Sequence, residues 1–552
     1  MTSQLGGVPV LILKEGTGRT RGKDAVGANI MAARVVAEAV RTALGPRGLD
    51  KMMVDSLGDV SITNDGATIL DKMDVQHPAA KMMVQVAKTQ DQEVGDGTTT
   101  AVVLAGELLR KAEELLDKQI HPSILVSGYK RLEKKCDELL EQVSIKIDSE
   151  DVETMKKAVM TSLNSKSVSG VREYFGELSV KAIKTIVEEK DGRLEADIDK
   201  VSIIKKQGKG LDETELVDGI ILDKEVVHPG MPKLVKNAKV ALISGNVEIE
   251  KTEFDAEIRI SSPDQMKAFM DEERHLIQEM VDKIINTGAT VVIVQKGIDD
   301  IAQHAMAKAG ILAVRRVKKS DIEKMEKATG ATIVSSINDL GPENIGTANH
   351  VEEVKIGEDK LVFVRECPHA KAVSILIRGG AQHIIDEAER SIHDALSVAR
   401  DILEDGYAVA GGGASFIELS QKLMSYAEGI KGKEQLAMMA FAEALEVIPK
   451  TLAENAGLDP IDILAELRAK HEEGGKTYGI DVLSAKVRDM AEIGVLEPLR
   501  IVKQAVKSAT EAAVMILRID DIIAAKHAEA GAPPAGAMPG GRPPIHGPPG
   551  IY

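Results

Sequence analysis

Glycine, aspartate and threonine come together where the chain could hold a phosphate. Gly95-Asp96-Gly97-Thr98-Thr99-Thr100 opens a strongly apolar stretch, Gly411-Gly412-Gly413-Ala414 follows the strand-like Tyr407 to Ala410, and Leu44-Gly45-Pro46 closes an earlier periodic segment. Glycine allows close backbone approach, and the free amides at a helix start attract an anion at the positive end of the macrodipole. A single turn of this kind is more often local structure than a phosphate site, and Gly95 to Thr100 is the strongest of the three. Inside a phosphate cradle Asp96 would repel a triphosphate unless a cation stood between them. Its presence therefore points to Mg²⁺ bridged by one carboxylate and phosphate oxygens. The plainer alternative is an aspartate that bonds neighbouring amides with no ligand at all.

Other chemistries lack their residues. Gly475-Lys476-Thr477 has Lys470 where a P-loop needs its first glycine, and neither HExxH nor GxSxG occurs. Cys367-Pro368-His369 is too short to suggest a metal or thiol centre, and the other histidines are scattered.

The elements that would position the turns can be read from periodicity. Val26, Ile30, Ala33, Ala37, Val40 and Leu44 recur at helical spacing and stop at Gly45-Pro46. Lys51 to Asp55 and Val60 to Thr63 predict a hairpin, after which Asn64-Asp65-Gly66 turns into a helix and leaves Asp65 on the turn. A helix from Thr98 to Lys118 is predicted, its threonines serving as natural caps. In the middle, strands at Val240–Ile243, Thr290–Gln295, Ala313–Val317 and Val373–Ile377 alternate with helical patterns, as in a layered α/β domain. Pro263 to Asn286 carries an apolar stripe that reads on periodicity as an ordinary core helix. The last helix runs from about Leu499 to Ile519, and Gly531 to Tyr552, with seven Pro and six Gly in 22 residues, cannot pack a core.

The 552 residues suffice for several domains, and 43% hydrophobic with 28% charged residues is a globular balance. Seventy Lys and Arg against 87 Asp and Glu leave a net charge of −17, which excludes nucleic acid as a general partner. Six Phe, six Tyr and no Trp leave few rings on which bases could stack. Cys136 and Cys367 form no disulfide framework, and the chain has neither a leader pattern nor a run of eighteen apolar residues. A cytoplasmic, unprocessed protein without membrane contact is the expectation.

Three segments then carry a resemblance. Val54-Asp55-Ser56-Leu57-Gly58-Asp59, Ile62-Thr63-Asn64-Asp65-Gly66-Ala67-Thr68-Ile69-Leu70 and Glu93-Val94-Gly95-Asp96-Gly97-Thr98-Thr99-Thr100 resemble, in this order, the signatures of group II chaperonins of the archaeal type. The resemblance extends from about Thr17 to Ile523. It implies a multidomain α/β chain: a mostly helical equatorial domain from residues 1–146 and 405–525, a small α/β intermediate domain from 147–216 and 370–404, and an α/β apical domain over 217–369. It also implies a helical protrusion at about 245–286 as a built-in lid, and a flexible tail over 526–552. The activity implied is ATP-driven folding of unfolded polypeptides in a chamber of two stacked rings, built from this chain alone or with sister subunits.

Site roles follow residue by residue from the same resemblance. Leu44, Gly45 and Pro46 match nucleotide contacts, Asp96 the Mg²⁺ ligand, and Gly97, Thr98, Thr99 and Thr100 the phosphate cradle. Gly411, Gly412, Gly479, Glu497 and Lys503 match the remaining nucleotide positions, and the family admits K⁺ beside Mg²⁺. Asp394 resembles the carboxylate that orients the attacking water, assisted by Asp65, and Lys166 resembles a γ-phosphate sensor. Phe254, Ile258, Met266, Phe269 and Met270 become candidates for lid or client contacts, against the core-helix reading. The chain departs from the family at Gly379-Gly380-Ala381-Gln382-His383 and in its tail, neither of which touches the proposed carboxylates. A passive holdase and a small-molecule phosphotransferase are the competing classes; Asp65, Asp96 and Asp394 speak against the first, and the second lacks an acceptor site.

Overall fold

The computed structural model describes residues 2–5, 8–11, 18–54, 58, 60–166, 168–249, 262–368 and 372–524. Three hydrophobic cores organise them, and the chain visits two of these cores twice.

The first core joins the two chain ends. It contains α1 (Lys23–Arg41), α2 (Gly66–Lys72), α3 (Pro78–Val94), α4 (Thr98–Asp117) and α5 (Pro122–Val143). The late helices α12 (Ala414–Glu428), α13 (Lys433–Leu445), α14 (Val447–Asn455), α15 (Pro460–Glu472) and α17 (Leu499–Leu517) complete it, with the short α16 (Met490–Ile493) between the last two in the chain. Helix α4 is apolar nearly all round and lies at the centre, with Ala101 to Gly106, Leu108 and Leu109 buried. Rings are scarce here, so Tyr129 and Phe441 meet edge to face at 5.4 Å and the Tyr129 hydroxyl donates to the Leu108 carbonyl at 2.8 Å. Strands Gly18–Arg21 and Asp521–Ala524 pair antiparallel and tie the ends together. The hairpin Lys51–Val54/Val60–Thr63 forms as its sequence predicts.

The second core packs α6 (Val152–Leu163), α7 (Arg172–Ile186) and α11 (Gln382–Asp405) on a sheet of Glu215–Val217, Val373–Gly379 and Val201–Gln207. This corrects the expectation that grouped Val373–Ile377 with the central strands: it pairs parallel with Val201–Gln207.

The third core is a mixed sheet in which Leu234–Ile243, Val291–Val294 and Leu312–Val314 run parallel, connected through α8 (Pro263–Asn286) and α9 (Asp300–Lys308), with α10 (Lys319–Thr329) following. The strand expected over Ala313–Val317 ends at Val314, because Arg316 takes a left-handed φ of 56°. Ser262 caps α8, its side chain accepting from the Gln265 amide at 3.2 Å. Only Ile277, Val281 and Ile284 of α8 are buried, while Met266, Phe269 and Met270 are 50, 44 and 45% exposed. The core-helix reading therefore applies to the second half of α8 alone. Phe254 and Ile258 lie outside the described residues.

Candidate functional site

A cavity lined by residues from both halves of the chain opens between the first and second cores. Leu44, Gly45, Pro46, Asp96, Gly97 and Thr100 from the first half of the chain face Gly412 and Glu497 from the second. Thr161, Ser162, Asn164 and Ser165, from α6 and the turn after it, close another side.

The backbone of these turns is fixed by packing. Gly45 has φ 81°, and a Cβ there would lie 2.3 Å from Leu452 Cδ2. Asn455 Nδ2 donates to the carbonyls of Leu44 at 2.8 Å and Arg41 at 3.1 Å, so α14 holds the end of α1 in place. Gly97, with φ 76°, is the residue at which α4 begins, and no side chain caps that helix. The expectation that its threonines would cap it is thus corrected: the Thr98 hydroxyl donates to Asp65 Oδ1 at 3.1 Å instead. The first-turn amides keep their capacity for an anion. Buried Gln90 donates from Nε2 to the carbonyls of Asp96 at 3.0 Å and Ile501 at 3.2 Å, which anchors the cradle to α17.

The carboxylates divide the work. Asp65 caps α2, its Oδ2 accepting from the Thr68 amide at 2.7 Å. Asp96 Oδ1 accepts from the Gly97 amide at 2.7 Å. Among the described residues no three His, Cys, Asp or Glu side chains converge as a metal cluster. A Mg²⁺ on Asp96 would take the rest of its shell from phosphate oxygens and water, and this donor set fits that ion. Burial, with Asp96 nearby, pushes the Glu497 carboxyl up to about 7.

Lys166 and Asp394 form a buried ion pair between the turn after α6 and α11, Nζ donating to Oδ2. The pair reaches the cradle through two contacts. Asn64 Nδ2 donates to the Ser165 carbonyl, and a Cβ on Gly95 would meet Ser397 Oγ at 2.3 Å, one turn of α11 from Asp394. His393, beside Asp394, is held below the ordinary imidazole range by burial and by the positive charges of Lys166 and Arg400.

The sequence-derived set thus maps unevenly. Thr98 and Thr99 are buried behind the cavity wall, and Gly479 backs the glycine turn, where a Cβ would lie 2.7 Å from the Gly411 carbonyl oxygen. Lys503 is not brought to the cavity: it pairs with Glu141 at 2.7 Å on the surface, while Ile501, Val502 and Ala505 of the same helix form the lining. Missing from the sequence reading was Asp91, whose carboxyl is pushed to about 6 by burial and by Asp65 and Asp96, with Lys166 opposing. Its one signal was position: an acid in the last turn of a helix sits at the negative end of the macrodipole.

Three cores with a cavity at the joint of two of them, lined from both halves of the chain, are the architecture of a multidomain α/β protein. The model of the TCP-1/cpn60 chaperonin family matches residues 36–527, and the chain belongs to that family. It is 60% identical over 527 residues to the thermosome subunit of Pyrococcus horikoshii, covering 96% of each chain. It is 57% identical over 536 residues to the thermosome subunit alpha of Archaeoglobus fulgidus, covering 97% of this chain and 98% of the other. Among solved structures, the open-state monomer of a group II chaperonin from Methanococcoides burtonii superposes with a TM-score of 0.59 at 46% identity, over 77% of this chain and all of that one.

Proposed function

We propose that this chain is an ATP-dependent folding chaperone whose nucleotide site is the cavity at the joint of the first and second cores. It hydrolyses ATP, assembles into two stacked rings, and encloses unfolded polypeptide in a chamber with a built-in lid. The first core is its equatorial domain, the second its intermediate domain and the third its apical domain, with the boundaries expected from the sequence.

In-line phosphoryl transfer needs an oriented water and charge neutralisation more than covalent help. The uncapped amides of α4 and the hydroxyl of Thr100 hold the phosphates, Thr98 and Thr99 back them from behind the wall, and Asp96 would hold Mg²⁺, which would neutralise phosphate charge, with K⁺ beside it. Lys166 and Asp394 satisfy each other in this structure. A terminal phosphate draws the Lys166 ammonium toward itself and releases the Asp394 carboxylate to orient water, with Asp65 beside the cradle. Because the pair belongs to the intermediate domain and the cradle to the equatorial one, hydrolysis depends on the angle between them. The observation that carries this reading is the approach of α11 to the cradle at Gly95 and Ser397.

Both cysteines are free and buried, in keeping with a reducing cytoplasm, and no described helix is long and apolar enough to cross a membrane. The deciding experiment follows recovery of a chemically unfolded enzyme with and without Mg·ATP, for the native chain and for Asp394→Ala. Recovery that requires ATP, and is lost with turnover in a variant that still binds nucleotide, is expected. Recovery independent of ATP would mean a holdase, and normal hydrolysis by the variant would remove Asp394 from its role.

A further inference from the structure

A buried histidine lies behind one wall of the nucleotide cavity, in a role nothing so far has used. His471, near the end of α15, has no exposed side-chain surface. Its Nε2 lies 2.7 Å from the Tyr478 carbonyl oxygen and its Nδ1 lies 2.7 Å from Glu418 Oε2. A carbonyl oxygen can only accept, so Nε2 carries hydrogen. Glu418 also pairs with Lys422 at 3.0 Å, and although burial works against it, His471 and Lys422 hold its carboxyl below the usual range. Nδ1 faces that carboxylate, so the ring bridges a backbone carbonyl and a side-chain carboxylate.

The two acceptors belong to the cavity's own framework. Glu418 lies in the second turn of α12, which starts from Gly413. Tyr478 begins the strand Tyr478–Asp481, whose Ile480 amide donates to the Gly412 carbonyl at 2.9 Å, and Ile480 to Leu483 line the cavity.

We propose that His471 is a positioning residue for nucleotide binding: its ring ties the Tyr478–Asp481 strand to α12, directly after the Gly411–Gly413 turn, and so sets the affinity for an adenine nucleotide without touching it. This rests on the reading of the cavity as the nucleotide site. Several other charged groups of the packed elements have partners of their own. Lys470 pairs with Glu473, Arg468 with Glu446, Lys450 with Glu454 and Arg488 with Asp481, while Asp489 accepts from the Ala491 amide.

The test compares the assembled native chain with His471→Gln and His471→Ala, measuring MgADP affinity by calorimetry and KM and kcat for ATP. His471→Ala loses both ring hydrogen bonds, so KM and the MgADP dissociation constant rise about tenfold while kcat holds. In His471→Gln the side-chain amide keeps one of them, and affinity recovers in part. An unchanged KM in His471→Ala overturns the proposal, as does a fall in kcat with KM unchanged; if His471→Ala fails to assemble, His471→Gln decides, and an affinity equal to that of the native chain overturns the proposal. A native chain that binds no MgADP would refute the cavity reading instead.

Discussion

At the scale of single residues, the Lys166–Asp394 pair is the most demanding feature of the site. Both side chains are more than nine-tenths buried, so either charge left alone loses its partner where water cannot replace it. Asp394→Ala and Lys166→Ala should each lower stability by about 3 kcal/mol in urea unfolding, and the double substitution by clearly less than the sum. Turnover at saturating ATP should fall at least about a hundredfold in Asp394→Ala, the usual range for a group that positions or activates the attacking water. Additive losses of stability would mean that the two side chains are not a pair in solution. Glu497 gives a second outcome with a definite sign. Its folded carboxyl is raised from 4.5 to about 7, so the fold disfavours its ionisation; stability is whole below about pH 4.5 and declines as pH rises through 7. Glu497→Gln removes that penalty. It should match the native chain at pH 5 and be more stable at pH 8 by about 1–2 kcal/mol in urea melts, and an equal difference at both pH values would place the effect elsewhere.

At the scale of elements, α11 and α17 are tied by a cluster of charges where the first and second cores meet. Arg500, in the first turn of α17, reaches Asp401 at 3.2 Å, Glu404 at 3.0 Å and Asp405 at 2.7 Å at the end of α11. Asp401 is fully buried, and burial drives its carboxyl to about 7 even with Arg400 and Arg500 beside it. Arg500→Ala should therefore cost about 3 kcal/mol, and Arg500→Lys should recover only part of it, since an ammonium cannot fork between three carboxylates. A loss under about 0.5 kcal/mol in chemical unfolding would reduce the cluster to ordinary surface pairs. This joint also marks where sequence reading stops. Helices α1, α4 and α17 were legible because one apolar stripe or an apolar circumference determines each of them. The glycine turns were legible because only glycine tolerates their φ angles and close contacts. Asp394 and Asp401 were not: on an amphipathic helix an isolated aspartate reads as solvated, whereas the fold buries these two against a lysine 228 residues away and, beside the neighbouring Arg400, an arginine 99 residues away. The pattern reading misgrouped Val373–Ile377 for the same reason, because its strand partner at Val201–Gln207 is distant in sequence; the resemblance, by contrast, had set 370–404 apart from the central strands. The resemblance supplied Asp394 and Lys166 where periodicity had nothing to offer, and it also supplied Lys503, which the fold turns toward Glu141.

At the scale of the whole molecule, the chain presents apolar surface where a solitary protein would bury it. Met266, Phe269 and Met270 fall on adjacent turns of the first half of α8, each more than two-fifths exposed, while the second half of the same helix is anchored by Ile277, Val281 and Ile284. A helix sealed at one end and apolar in the open at the other suits a surface that must hold varied unfolded chains and release them, since methionine adapts to irregular partners. The stability of the subunit should not depend on those three side chains, because exposed groups add little to folding. Replacing all three by serine should leave the urea midpoint within about 0.5 kcal/mol of native and leave ATP turnover intact, while the chaperone no longer suppresses aggregation of a denatured enzyme without nucleotide. The lid role can be separated from the client role by protease protection of α8 during ATP hydrolysis. If protection persists in the triple variant while capture is lost, the stripe serves clients; if both are lost, it also seals the chamber. Capture undiminished with turnover intact would show that clients are held elsewhere, and the exposure of α8 would then need another cause.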